Sequence, residues 1–217
     1  MPDRYASLGS TRPRHVLGVV AMVLAVVWMT LVASAVANAA AAPVVNGGFE
    51  EGDAEGTPTG WAVPTEGFKA ESAVRDSPEG KRCARLSRSG AMPKGFGNLM
   101  QSIEAGDYKG KQVTLSAMIR MDKTVPGAQA QMWVRVDRED QQQGFFDNME
   151  QRPIRSAKWQ KYTTLVDVAD DAVAISFGVI LIGTPAIVLI DDVKLEATGQ
   201  PAAKVGEPPA GTVASGE

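Results

Sequence analysis

Four side chains able to grip a ligand recur at every second position of one short stretch: Gln131, Trp133, Arg135 and Asp137. In an extended chain they share one face. The indole offers a flat apolar surface with a single N–H donor. The amide, guanidinium and carboxylate around it supply donors and acceptors. This set suits a ring with C–H groups on its faces and hydroxyls on its rim, as in a sugar. Arg120 joins the face if the stretch "TLSAMIRMD" lies alongside. The following segment, "QQQGFFDNMEQRPIR" (141–155), adds Asp147, Asn148 and Arg152. It either walls a groove with these three or folds over Trp133 and caps its own turns. In the second case the indole extends the core, and Arg135 with Asp137 is a same-face ion pair. Phe145 and Phe146 are consecutive, so an extended chain sends them to opposite sides and one anchors the segment.

Several chemistries are excluded. His15 is the only histidine, and it precedes a long apolar run. A Ser-His-Asp or Cys-His nucleophile system therefore has no base, and a zinc site of His and Cys ligands has no donors. Carboxylates are plentiful, but nothing marks one pair for two-carboxylate hydrolysis. The expectation is a non-catalytic protein. A net charge of −3 also argues against nucleic acid, which calls for a basic stripe.

The elements that must position these residues have period two. "KQVTLSAMIRMD", "AQAQMWVRVDRED", "VAISFGVILIG" and "AIVLIDDVKLE" alternate apolar and polar residues, the last with a change of phase at its two aspartates. "KRCARLSRS", "GNLMQSIE" and "WQKYTTLVDV" are shorter strand candidates, with Gly, Pro and Asp punctuating the gaps. No long amphipathic helix stands out. The fold class is all-β, a sandwich of two antiparallel sheets. Cys83 is the lone cysteine, so packing rather than an internal disulfide must hold it.

Residues 1–39 read as an export segment. Arg4, Arg12 and Arg14 precede Val16–Ala37, an uncharged run of 22 residues that ends in small-x-small sites at Ala37 and Ala39. It is either a cleaved signal peptide or an uncleaved anchor helix, long enough to span a bilayer. Both place the rest in the periplasm, the envelope or the medium, touching membrane only through an uncleaved N-terminus. Residues 40–198 form the domain. Residues 199–217 are rich in Pro, Gly and Ala and read as a disordered tail.

Two end motifs narrow the fold. "VVNGGFEEGDAEGTPTGWAV" (44–63) and "AIVLIDDVKLEA" (186–197) resemble the opening and closing strands of galactose-binding-like jelly rolls, among them several carbohydrate-binding modules. Residues 132–196 are similar to an accessory domain that accompanies erythromycin-esterase-like enzymes, C-terminal-processing-type peptidases and some regulators. The resemblance implies a jelly-roll sandwich that binds carbohydrate on one sheet or at one edge. It also implies a structural calcium between the first and last strands, with Glu50 and Asp191 as leading ligands and Asn46 and Asp192 behind them. Asp191 interrupts an apolar run, and without a cation its carboxylate must accept amide hydrogen bonds or pair with a base such as Lys194. The partner is then a carbohydrate or, alternatively, an envelope protein meeting a purely structural domain. Trp61 is expected to plug the end of the sandwich.

Overall fold

The computed structural model describes residues 44–53, 55–74, 76–89, 95–139, 142–183 and 185–203. The export segment and the tail beyond 203 lie outside them. Among the described residues the fold is all-β. Its nine strands are β1 (Phe68–Val74), β2 (Arg82–Arg88), β3 (Gly97–Glu104), β4 (Lys111–Lys123), β5 (Gln129–Arg138), β6 (Gln143–Asp147), β7 (Gln160–Asp167), β8 (Ala172–Ile182) and β9 (Ile187–Pro201). They form two antiparallel sheets, ordered β1-β2-β9-β4-β7 and β3-β8-β5-β6.

The alternation in the sequence explains the layering. Val113, Leu115, Ala117, Ile119 and Met121 of β4 are buried in the same core as Met132, Val134 and Val136 of β5 and Ile175, Phe177, Val179 and Leu181 of β8. Successive side chains of a strand point to opposite faces, so the residues between them must face outward. One consequence overturns an expectation. β4 and β5 are consecutive but not neighbours: β4 pairs with β7 and β9, while β5 pairs with β8 and β6. The link between them carries the chain from one sheet to the other, so their apolar faces meet across the core instead of side by side.

β9 carries the change of phase. Ser116 pairs with Lys194 and Met118 with Asp191, so β9 spends one more residue than β4 over that interval. This is a β-bulge, with Asp192 at a φ of 50°. Val188 and Ile190 before it, and Val193 and Leu195 after it, all reach the core. The strand also runs past the expected domain boundary. Lys111 pairs with Pro201, and the Ala202 amide donates to Gly110 O at 2.9 Å, so residues 199–203 pack as part of the domain.

The opening motif is a knot of turns, not a strand. Asn46 and Phe49 adopt φ of 49° and 55°. Asn46 Nδ2 donates to Glu51 O (2.7 Å) and Thr59 O (3.1 Å), while its Oδ1 accepts from the Glu51 amide (3.2 Å). That folds Phe49 inward against Trp61, ring centroids 4.9 Å apart, and Trp61 meets Phe177 edge-on at 6.0 Å. Trp61 Nε1 donates to Val45 O at 3.0 Å, which satisfies the indole at the end of the sandwich, as expected.

Phe177 lies where this plug meets the core and is fully buried. Phe177→Ala is expected to cost about 3–5 kcal/mol by urea denaturation. A loss under about 1 kcal/mol would mean that the core does not run through this ring.

Candidate functional site

The outward face of the four-stranded sheet gathers most of the candidate residues. Across β3, β8, β5 and β6 the register defines rows. One row runs Met100, Gly178, Trp133. The next runs Ser102, Ser176, Arg135, Phe146. A third holds Glu104, Ala174 and Asp137. Side chains directly opposite in an antiparallel pair share a face, so these residues stand on one surface.

Trp133 lies across this surface. It is opposite Gly178 of β8, yet its Nε1 donates at 3.0 Å to Asn98 Oδ1 on β3, one strand further over. The indole therefore reaches across β8 on this face, while the close approach that Gly178 permits is to the β3 backbone, where an added Cβ would meet Leu99 O. It is partly buried rather than sealed. The segment after β5 does not roof it. β6 pairs with β5 as an edge strand, and Ile154 bridges Ala130 along the same edge. Phe145 packs against the core, whereas Phe146, opposite Arg135, is 48% exposed. Arg135 and Asp137 are held together at 2.6 Å, and Ser102 and Ser176 share a hydroxyl hydrogen bond of 2.7 Å. Gln131 is on the same strand face but only 3% exposed, so it supports the surface more than it lines it.

Three expected contacts fall elsewhere. Arg120 is on β4, hence on the outer face of the other sheet. It pairs with Asp122 at 3.1 Å and lies 5.4 Å from the Trp159 ring centroid. Arg152 bonds Asp147 and donates to Thr164 Oγ1 of β7 at 3.0 Å, which ties the edge strands of the two sheets together. Asn148 Oδ1 accepts from the Glu150 amide at 3.1 Å, a local turn. Asn98, Gly178, Ser102, Ser176, Glu104 and Phe146 were not foreseen as members of the face. The alternation of "GNLMQSIE" already aligned Asn98, Ser102 and Glu104, but which strand they would meet was not written locally.

Glu50 and Asp191 do converge, on a common turn. Glu50 Oε1 accepts from the Lys81 (2.7 Å) and Arg82 (3.0 Å) amides, which hold its carboxyl below the usual range. Asp191 is fully buried. Its Oδ2 accepts from Ser77 Oγ and the Glu79 amide (3.3 Å), and its Oδ1 from the Asp192 amide (2.8 Å). Burial raises its pKa against these bonds. Calcium needs six to eight oxygens free to face it. Among the described residues no cluster of three or more Asp, Glu, His or Cys side chains exists, and these two carboxylates are occupied by donors. The residues present do not fit that ion. Asn46, as above, is spent on its own turn, and Asp192 pairs with Lys194 at 2.5 Å. An open groove of about 730 Å³ runs beside this turn, between Val44, Gly47 and Gly48 on one side and residues 193–196 on the other. Its Lys194 and Glu50 are already engaged, so the sheet face is the better candidate.

The architecture is a jelly-roll β-sandwich of two antiparallel sheets, and solved structures share it. The xylan-binding domain CBM22-1 of Paenibacillus barcinonensis Xyn10C superposes with a TM-score of 0.52 at 19% identity, over 72% of this chain and 93% of that one. The C-terminal family 22 carbohydrate-binding module of Clostridium thermocellum Xyn10B gives 0.51 at 13%, over 71% and 97%. A cyclase from Fischerella sp. TAU gives 0.54 at 18%, over 76% and 99%. At these identities the likeness is one of fold, and the cyclase shows that the fold also serves an enzyme. No family model matches the chain. An uncharacterized HTH-type transcriptional regulator of Bacillus subtilis (strain 168), YbfP, is 38% identical over 104 residues, which is 46% of this chain and 34% of the regulator. The chain thus spans about a third of that relative's length.

The Asp147 hub fixes β6 and is acid-sensitive. Burial opposes its ionisation, but the Met149 amide, Arg152 and Thr164 outweigh it and hold the carboxyl below its ordinary 3.8. A depressed folded pKa gives stability that is present above the unfolded value and lost as pH falls through the folded one. Asp147→Asn is expected to melt lower than the parent at neutral pH, with the gap closing below pH 3.8. A gap independent of pH would show that the charge plays no part.

Proposed function

We propose that the chain is an exported, non-catalytic binding module that takes a carbohydrate across the outer face of its four-stranded sheet. The observation that carries this reading is the pairing of Trp133, reaching across β8 and held by Asn98, with the exposed Phe146 one row away. Two aromatic surfaces on a rigid sheet, with Arg135, Asp137, Ser102 and Ser176 between and beside them, match the two sides of a sugar: C–H faces for the rings, hydroxyls for the polar groups. The carbohydrate-binding modules among the solved structures support the class and make xylan the first ligand to try. The N-terminal apolar run supports export. The missing histidine base supports a module without a nucleophile. Asp137, the carboxylate nearest the aromatics along β5, is paired with Arg135, which supports a binding role for it over an acid-base one.

Calorimetric titration with soluble xylan and xylo-oligosaccharides tests the proposal. Phe146 is exposed, so Phe146→Ala leaves the fold intact and is expected to weaken binding about tenfold, or about 1.4 kcal/mol. Trp133→Ala, checked by circular dichroism, is expected to remove measurable binding. No saturable binding to this or any other polysaccharide, with an envelope protein captured instead, would replace the carbohydrate by a protein partner. Equal affinity of parent and both variants would move the site off this face.

A further inference from the structure

We infer that the turn at residues 77–82 does the work of a structural cation at the junction of the opening and closing segments. The two carboxylates that would have to hold a metal there, Glu50 and Asp191, are both bound by this one turn. It supplies the Ser77 hydroxyl and the Glu79 amide to Asp191, and the Lys81 and Arg82 amides to Glu50. Successive amides aimed at an anion concentrate positive potential as an ion would. The turn is shaped for the task. Gly80 has a φ of 68°, and a Cβ there would collide with the Glu50 carboxylate, so the chain passes directly beneath it. Its far side is anchored too, since Trp159 Nε1 donates to Asp76 O at 2.6 Å. Lys194 adds a fixed positive charge, 2.5 Å from Asp192 and 3.7 Å from Glu79. The opening segment reaches β9 directly, where the Val193 amide donates to Gly47 O at 3.0 Å. Both carboxylates that a bridging ion would neutralise are thus met by donors of the chain itself.

The stability of the domain is therefore independent of calcium and dependent on the turn. The full chain is expected to melt at the same temperature in millimolar calcium chloride and in EDTA. Terbium, read by luminescence sensitised through tryptophan, gives no saturable signal. Ser77→Ala and Gly80→Ala each lower the melting temperature by about 2–4 °C, equally in both buffers. A calcium-dependent rise in the parent's melting temperature that disappears in Glu50→Gln, whose amide oxygen can still accept from the Lys81 and Arg82 amides, would overturn the inference. So would turn variants that melt like the parent.

Discussion

A buried carboxylate in the middle of a sheet sets the terms for this fold. Asp191 sits on β9, between β2 and β4, with no exposure to solvent. Left unpaired there it would be intolerable. The bulge resolves half the problem. One extra residue in β9 keeps Val188 and Ile190 in the core ahead of it and Val193 and Leu195 in the core after it, while the carboxylate turns to the outer side. The turn at residues 77–82 resolves the other half by bringing donors to it. Because the same turn also receives Glu50, the opening segment is drawn against β9, and Phe49 and Trp61 follow it into the end of the core. The plug, the turn and the central strand form one connected system.

The opposite sheet is freed by this arrangement. With the opening motif, the bulge and the buried acid all gathered around β9, the outer face of β3, β8, β5 and β6 needs few groups for support. Gln131 and Asn98 sit low on it, the latter holding the indole. The edge strand that carries Phe146 is short, but it is tied by Asp147, Arg152 and Thr164 to β7 of the other sheet. The aromatic surfaces are thus fixed by the scaffold and need no loop closure to form.

Much of the scaffold was legible from residue order alone. The strands announced themselves by period two, and the change of phase at Asp191 and Asp192 marked the bulge. Trp61, following Pro-Thr-Gly, marked the plug. The faces of individual strands were equally readable, which is why Trp133, Arg135 and Asp137 were grouped correctly. What could not be read was which strand lies beside which. Arg120 shares the Trp133 face only if β4 lies beside β5, yet the connection between them crosses the sandwich, and nothing in five residues of linker states that. Arg152 and Asn148 read equally as ligand contacts or as turn caps, because polar groups after an aromatic pair are ambiguous. Their partners, Thr164 and the Glu150 amide, show them to be holding the chain. Residues 76–80, "DSPEG", are among the Gly-, Pro- and Asp-rich gaps, and amide donors leave no mark in the side-chain sequence.

The place of β9 has a further consequence for how the protein comes into being. The last strand of the domain is also the central one of its sheet, flanked by β2 and β4. A nascent chain that has emerged only as far as β8 carries two half-sheets with exposed inner edges, and it cannot bury Asp191 or close the core until residues up to about Pro201 are free. Such contacts between distant parts of the chain delay folding and leave sticky edges exposed meanwhile. The five-stranded sheet is therefore completed only when its final strand takes the central place.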